Sequence, residues 1–403
     1  MKRLLILSSI CLVLVLAALP FLTACPAEEE PPPPPPETLK IGALVSLTGF
    51  CSASEVLIWE GVQLFEEWIN EQGGITIGEQ PYLIEFVAED IQSSADGTVA
   101  AANKLVYDHG VKFVVGPVLP FMITASGTIT EPAGVIRVAY YNCGTPDEYG
   151  PNTPYTFVCN DTTLDYMTPN MQYMKEAYPN LKTISVITPD DGAPAFFEPV
   201  FNQKAADEGL EVVDWVLWPL DTTDFTTFVV KALAPNPDAL FLINGWPIHM
   251  GSILKIAREM GFTGPVFACH EDPYDIREVA GVEASTEFYV HNVMMDDPEM
   301  TDMIKEIKAL AEAKYGKASP THVWGWNACY CLIQAIEEAQ SLDPTVVRDS
   351  WEEMTSIDTA YGDGRLGGLD TYGINHTVSY PMPLSALQDG EVVWIMWQEV
   401  PLP

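Results

Sequence analysis

The chain is poor in basic residues. Its 403 residues include 19 Lys and Arg against 56 Asp and Glu, which gives a formal net charge of −37. Nucleic acids are polyanions that bind stripes of Lys and Arg, and the sequence contains no such stripe. We therefore expect no nucleic-acid partner, and we expect most carboxylates to lie on a solvated acidic surface.

Catalytic motifs are also missing. The sequence has no Gly-x-Ser-x-Gly elbow, no phosphate-binding Gly-x4-Gly-Lys-Ser/Thr loop, no His-Glu-x-x-His pair and no Gly-x-Gly-x-x-Gly after its first strand. The glycines of 362–368 indicate turns in a loop, and a phosphate-binding cradle is the less favoured interpretation. His270-Glu271-Asp272 holds three potential metal ligands, but three adjacent side chains rarely face one ion. We predict a non-enzyme with no catalytic residue, no metal and no cofactor.

Long apolar runs are absent except at the N-terminus, where Leu4 to Leu19 follows Lys2-Arg3. This run is shorter than the roughly 20 residues of a membrane span and suits a signal peptide. It ends in Leu22-Thr23-Ala24-Cys25, which resembles the processing box of bacterial lipoproteins. That resemblance implies a signal peptide over 1–24 and acylation of Cys25. The alternative is an ordinary signal peptide with an incidental cysteine.

Residues 25–38 are acidic and rich in proline, with Glu28 to Glu30 followed by six consecutive prolines. A proline run favours extended polyproline II, at about 3.1 Å per residue, and cannot join a helix or a central strand. We interpret this segment as a tether between the lipid and a globular body. The alternative is a proline motif that binds a partner.

Strand and helix patterns alternate through the rest of the chain. Apolar runs such as Ile184–Ile187 and Leu240–Ile243 are typical of parallel strands that helices cover on both faces. The alternation restarts after Cys159, which predicts two doubly wound α/β lobes. Late helices and a hairpin at Asp389-Gly390 indicate that the chain crosses between the lobes more than once. Ligands of such sheets bind beyond the carboxyl ends of the strands, which here predicts a cleft.

Six cysteines remain once Cys11 is removed and Cys25 is acylated. Outside the cytoplasm they can pair, or they can act as small buried apolar residues. Cys329 and Cys331 lie on different faces of a predicted helix, so we expect no bond between them. The pattern leaves the pairing open among Cys51, Cys143, Cys159, Cys269, Cys329 and Cys331.

An ordered set of short motifs resembles the periplasmic-binding-protein type I family, in its branched-chain amino-acid-binding branch. The motifs are Ser46-Leu-Thr-Gly49, Glu60-Gly61, Asn70-Glu-Gln-Gly-Gly74, Ala88-Glu-Asp90, Ala100-Ala-Ala-Asn-Lys-Leu105 and Val114-Val-Gly-Pro117. The resemblance implies an α/β fold of two doubly wound parallel-sheet lobes joined by three crossovers. It places lobe 1 at 39–160 and 291–375, and lobe 2 at 161–290 and 376–403. It also implies hinge closure on a small ligand and delivery to the permease and ATPase of an ABC importer by a lipid-anchored, extracytoplasmic monomer.

The same resemblance implies ligand contacts. The family places a carboxylate-binding serine where this chain has Pro120 or Phe121, and an aromatic residue where it has Ala193. The family's acidic residue that meets an ammonium falls on Glu271. The residues expected to contact ligand are Ser54, Phe121, Tyr141, Asn142, Cys143, Ala193, Trp246, Glu271 and His322. Because the acid is kept and the hydroxyl is lost, we expect an amine- or amide-bearing ligand and weak binding of leucine.

Structural alternatives exist for several of these residues. Trp246 can pack in a core, Glu271 can form a surface salt bridge, and His322 can cap the following helix. Tyr141 and Cys143 can be buried packing in the first lobe. At the level of function, the alternative to import is a sensory module that presents its closed form to a signalling receptor.

Overall fold

Two sheets organise the body of the chain in a computed structural model that describes residues 34–141, 144–293 and 295–401. The strands are β1 (Glu37–Val45), β2 (Ile75–Ile77), β3 (Gln80–Asp90), β4 (Phe113–Val115), β5 (Ile136–Ala139), β6 (Thr156–Val158), β7 (Thr183–Pro189), β8 (Glu211–Trp218), β9 (Ala239–Leu242), β10 (Val266–His270), β11 (Phe288–His291), β12 (Ser356–Thr359), β13 (Gly362–Gly367), β14 (Thr377–Ser379), β15 (Met382–Gln388) and β16 (Glu391–Gln398).

Helices fill most of the segments between these strands. They are α1 (Ser52–Glu71), α2 (Ala95–Asn103), α3 (Pro120–Ala133), α4 (Thr163–Ala177), α5 (Pro194–Asp207), α6 (Thr226–Leu233), α7 (Pro247–Glu259), α8 (Pro273–Ala280), α9 (Asp302–Tyr315), α10 (Pro320–Ala339), α11 (Pro344–Glu353) and α12 (Leu369–Tyr372). A single π-helical turn, Lys104–Asp108, extends α2. Within the described ranges, no helix combines the length and the hydrophobicity needed to cross a bilayer.

Each sheet has a parallel centre and antiparallel additions at its edges. The first sheet has the order β12-β13-β14-β6-β5-β4-β1-β3-β2, and the second has the order β16-β15-β11-β10-β9-β7-β8. The central strands are buried along their length, as in β4, β5, β9 and β10, because helices cover both faces. This arrangement confirms the prediction of two doubly wound α/β lobes.

The chain passes between the two sheets three times. It leaves the first sheet after β6, returns before β12 and leaves again between β14 and β15. Thr377 of β14 pairs in parallel with Val158 of β6, so the boundary predicted at residue 376 shifts past Ser379. His291 still pairs with Leu384 in the second sheet, so the boundary predicted at 291 falls inside β11. Short strands of three or four residues give little periodic signal, which explains both displacements.

Two local predictions at the C-terminal end have opposite outcomes. The hairpin at Asp389-Gly390 is confirmed, because both residues have positive φ, at 52° and 82°, between β15 and β16. The loop predicted over 362–368 is wrong for most of its length. Gly362–Gly367 forms β13, which pairs with strands on both sides. Gly364 suits this strand because a Cβ there would press on Thr359 and Val378.

Five of the six cysteines that follow Cys25 lie in the described residues, and all five are buried and free: Cys51, Cys159, Cys269, Cys329 and Cys331. Cys329 and Cys331 are not bonded to each other, as expected. Cys143 lies outside the described residues. The described cysteines therefore serve as small apolar core residues.

Helices α1 and α10 cross at very short range in the first lobe. A Cβ on Gly61 of α1 would overlap the carbonyl oxygen of His322, and a Cβ on Gly325 of α10 would overlap that of Ile58. The two glycines therefore let the helix backbones touch. This contact explains why a glycine follows Glu60. It also holds α10 beside the turn between β1 and α1, which lines the cleft.

We expect Gly61→Ala to lower the free energy of unfolding by about 2 kcal/mol or more, because the added methyl group meets rigid backbone. Urea unfolding followed by circular dichroism measures this change. Gly127→Ala in α3 is the matched control, since a Cβ there comes no nearer than 3.3 Å to the Arg137 side chain. Equal stability of the two variants would contradict the proposed close crossing.

Candidate functional site

A cavity of about 760 Å³ lies where the carboxyl ends of the parallel strands of both sheets face each other. Segments that follow β1, β4, β5, β7, β8, β9 and β10 contribute to it, as does the first turn of α10. Its lining includes Phe50, Ser54, Phe121, Tyr141, Asp191, Trp218, Leu220, Asp221, Asn244, Trp246, Ile248, His249, His270, Glu271, Asp272, Asp275, Glu278, Thr321 and Trp324. The cleft predicted from the strand order is thus present between the two lobes.

The structure brings together five of the residues expected to contact ligand: Ser54, Phe121, Tyr141, Trp246 and Glu271. Ala193 lies instead in an adjoining cavity of about 780 Å³, which shares Pro120, Phe121 and Asp191 with the first. Asn142 and Cys143 lie outside the described residues, as do Cys25 and segment 1–33.

His322 does not line either cavity, and its expected ligand contact is not supported. Its Nδ1 accepts the Ser319 N–H at 2.9 Å, which closes a capping box at the start of α10. Its Nε2 therefore carries the proton and lies 2.9 Å from Glu60 Oε2. The buried ring ties α10 to α1, so the helix-cap interpretation is the one that the geometry favours.

A hydrogen-bonded trio joins the lobes at the base of the cavity. Tyr141 follows β5, and its hydroxyl donates to Asn244 Oδ1 at 3.2 Å across the cleft. Thr163 Oγ1 also donates to Asn244 Oδ1, at 2.8 Å, and lies 2.7 Å from the Tyr141 oxygen. Asn244 follows β9 with a φ of 54°, a left-handed conformation that asparagine tolerates. Tyr141 is buried, as its packing interpretation predicts, and its hydroxyl forms a hydrogen bond between the two lobes.

Glu271 is a buried carboxylate that faces the cavity. It is 6% exposed, and it forms no ion pair with any described residue. Burial, followed by the neighbouring Asp272 carboxylate, raises the pKa of Glu271 well above its usual range, while the Asp272 N–H acts in the opposite direction. The alternative of a surface salt bridge is therefore wrong. A carboxylate in this setting is stabilised by a hydrogen-bond donor or a cation that enters the cavity.

Aromatic rings form much of the remaining wall. Tyr141 and Trp324 stack at an interplanar angle of 16° with centroids 5.8 Å apart, and His270 lies 4.0 Å from Tyr141 and 4.8 Å from Trp324. On the other side, Trp218 packs 4.8 Å from His249. Trp246 is partly exposed and packs against the apolar cluster of the first lobe that contains Met122 and Leu44.

Five further residues of the cavity wall were not expected from the sequence: Trp218, Asn244, His249, His270 and Trp324. His249 lies in the first turn of α7, whereas Trp218, Asn244 and His270 lie at or just past the carboxyl ends of β8, β9 and β10. Applying the strand-end rule to every predicted strand would have found them. Trp324 lies on a helix that reaches the cleft by tertiary packing alone, and its sequence pattern carries no signal of that.

The first and third crossings meet beside this wall. The Tyr380 hydroxyl donates to Asp161 Oδ1 at 2.9 Å and accepts the Asp161 N–H at 2.8 Å. Asp161 Oδ2 lies 3.9 Å from His270 Nδ1, and neither atom makes a hydrogen bond with the described residues. Burial raises the pKa of Asp161 to about 7 and lowers that of His270 to about 3. Both groups are therefore poised to be neutral in weakly acidic solution.

Within the described residues, no group of three or more His, Cys, Asp or Glu side chains is placed to hold a metal ion. His270, Glu271 and Asp272 lie at the end of β10 and the start of α8. The geometry instead supplies an aromatic, acidic cavity between two lobes that three chain segments connect. This combination is typical of a solute-binding protein.

Comparison with known proteins agrees with that class. The model of the periplasmic binding protein family matches residues 38–391, so the chain belongs to this family of non-enzymatic solute-binding proteins. A leucine-, isoleucine-, valine-, threonine- and alanine-binding protein of Pseudomonas aeruginosa is 25% identical over 327 residues, which cover 78% of this chain and 82% of that protein.

Solved structures share the fold. A leucine-binding protein of Thermotoga maritima has a TM-score of 0.75 at 21% identity, covering 90% of this chain and 99% of that one. A solute-binding protein of an ABC transporter from Rhodopseudomonas palustris, in complex with 3,4-dihydroxybenzoic acid, has a TM-score of 0.74 at 18% identity, covering 91% and 99%.

The buried carboxyl groups predict a pH-dependent stability. The pKa values of Glu55 and Asp161 are raised to about 7 in the folded chain, so the folded state keeps protons that the unfolded state releases below pH 5. The free energy of unfolding should therefore be larger at pH 6.5 than at pH 8. His249, His270 and His291, with pKa values lowered to about 4, 3 and 4, partly oppose this trend, because the unfolded-state histidines are half protonated near pH 6.5.

Urea unfolding at pH 6.5 and pH 8 measures this difference. Asp161→Asn keeps an oxygen for the Tyr380 hydroxyl but cannot titrate, so it should flatten the dependence. A wild-type stability that is constant or increases between pH 6.5 and pH 8 would show that these carboxyls are ionised in the folded chain.

Proposed function

We propose that this protein captures a small amine- or amide-bearing ligand outside the cytoplasm and delivers it to the permease and ATPase of an ABC importer. The observation that carries the proposal is Glu271, a buried carboxylate in an interlobe cavity that no described basic residue pairs. The proposed ligand contacts are Ser54, Phe121, Tyr141, Trp246 and Glu271. The ligand nitrogen would supply the partner that Glu271 lacks.

The relatives support the general role. Their names refer to amino-acid binding and to an ABC transporter, and this chain matches the Pseudomonas protein over most of both lengths. The ligands that these names mention range from leucine to 3,4-dihydroxybenzoic acid. Family membership therefore does not identify the ligand, and the side chains of the cavity determine which ligand fits.

Closure would follow from contacts with both lobes. Ser54, Phe121 and Tyr141 belong to the first lobe, whereas Trp246 and Glu271 belong to the second. A ligand that touches both sets gains contacts only when the lobes meet, and it therefore shifts the population toward the closed form. Phe50 and Ile248 are exposed apolar residues of the cavity wall, at 59% and 60%, and closure would remove them from water.

A thermal-shift screen against amines, amides, amino acids and aromatic acids tests this function. A ligand at 100 times its dissociation constant adds about 2.7 kcal/mol of stability. For an amine found in this way, Glu271→Gln should weaken binding by about 2–5 kcal/mol, because the ammonium loses a buried charge partner. Calorimetric titration measures the loss.

Glu283→Gln is the matched control, since it makes the same charge change at an exposed position of the second lobe outside the cavity. It should leave affinity unchanged. If the two variants bind the amine as tightly as the wild type, Glu271 is not the anchor.

We also propose that the mature chain begins at Cys25 and that a lipid on this residue holds the body at the membrane through the tether of 25–38. The support is the sequence Leu22-Thr23-Ala24-Cys25 after an apolar run. Two or three acyl chains would anchor the protein stably, where one chain binds only marginally.

Cys25→Ser should abolish lipid attachment and leave unprocessed precursor or released protein. Metabolic labelling with a fatty acid and mass spectrometry of the mature N-terminus check this outcome. Cys51→Ser is a control, because Cys51 is a buried residue of the first lobe. A mature N-terminus elsewhere, without an acyl group, would show that the lipoprotein interpretation is wrong.

A further inference from the structure

The charges of the cavity wall have a single sign. Its described lining contains six carboxylates and no Lys or Arg: Asp191, Asp221, Glu271, Asp272, Asp275 and Glu278. The two histidines of the wall add no positive charge at neutral pH, because burial lowers the pKa of His249 to about 4 and that of His270 to about 3. A ligand carboxylate would therefore meet no positively charged side chain in the described wall.

Three of the helix N-termini around the cavity are also poor sites for an anion. Helices α3, α7 and α8 each begin with a proline, which has no N–H to donate. At two of these helix starts, a side chain accepts one of the backbone N–H groups that remain. Asp272 Oδ1 accepts the Tyr274 N–H at 2.8 Å, and His249 Nδ1 accepts the Trp246 N–H at 3.2 Å. These are the backbone donors that elsewhere hold a carboxylate at a helix start.

Acceptors for a primary ammonium are limited as well. Such a group carries three N–H donors, whereas the buried carboxyl groups of the wall are Glu271 and Asp272, and Asp272 already accepts the Tyr274 N–H. The nearby oxygen of Asn244 already accepts from Tyr141 and Thr163. What the wall offers in quantity is aromatic surface, from the stacked Tyr141 and Trp324 and from the partly exposed Trp246.

We propose that the ligand is an organic cation without a carboxylate, whose charged nitrogen carries alkyl groups and lies between Glu271 and the aromatic wall. This inference rests on the proposed function and narrows its ligand class. An alkylated ammonium needs few hydrogen bonds, is weakly hydrated, and is attracted to the faces of Trp and Tyr. The acidic residues of α8 and its start add a field that favours the same charge.

A matched set of four probes tests the proposal: phenethylamine, its N,N,N-trimethyl derivative, phenylalanine and 3-phenylpropanoate. They share one aromatic body and differ in the ammonium, its methylation and the carboxylate. Calorimetric titration on the full mature chain at pH 7 gives the dissociation constants. We expect the trimethyl derivative to bind at least as tightly as phenethylamine, and each to bind at least about tenfold more tightly than phenylalanine or 3-phenylpropanoate.

Any other order of the four dissociation constants contradicts the proposal. Phenylalanine or 3-phenylpropanoate binding as tightly as the amines shows that the cavity accepts a carboxylate. Phenethylamine binding more tightly than its trimethyl derivative shows that hydrogen bonds, not alkyl contacts, hold the nitrogen. Failure of both cations to bind also contradicts it. If phenylalanine binds and Glu271→Gln weakens it, the proposed function stands while this narrower inference fails.

Trp246→Leu separates the aromatic face from mere apolar burial. It keeps a large apolar side chain but removes the π-face, so it should weaken the trimethyl derivative by about tenfold. Trp59→Leu is the matched control, because Trp59 is a half-buried residue of α1 outside the cavity. Equal effects of the two substitutions would show that Trp246 acts through stability alone.

Discussion

The hydrogen bonds among Tyr141, Thr163 and Asn244 determine where the two lobes meet. The three residues follow β5, begin α4 and follow β9, so they belong to the ends of elements in both lobes. Their oxygens lie within 3.2 Å of one another and are buried. A buried polar group without a partner is costly, and this trio therefore holds the strand ends at a defined separation. Every other residue of the cavity is positioned relative to that base.

Much of the architecture follows from the sequence because parallel strands and amphipathic helices leave strong periodic patterns. β1, β7 and β9 and the helices that follow them are long enough, or apolar enough, to be recognised. Strands of three or four residues such as β6 and β14 are not, because their pairing is decided by distant partners. β13 was hidden for a related reason: its three glycines favour turns locally, and only its two neighbouring strands make it extended.

The candidate site was predictable where its residues follow a strand and less so where helices supply them. Glu271 and Trp246 were found through the resemblance, and their positions at strand ends agree with it. His322 was misassigned because a histidine at the third position of a helix suits both a ligand contact and a cap, and only the contacts to Ser319 and Glu60 distinguish them. The fold does not determine the ligand, because solved structures that share it have names that mention leucine and 3,4-dihydroxybenzoic acid.

The order of strands also constrains how the chain acquires its structure. β14 completes the parallel part of the first sheet, and β15 and β16 form one edge of the second. Both sheets therefore include strands formed by residues beyond 376. Contacts between β6 and β14, or between β11 and β15, close loops of the chain that are long, and such contacts form slowly. Neither lobe can therefore mature as an independent unit during synthesis. Both lobes thus depend on the last segment of the polypeptide for their complete strand order.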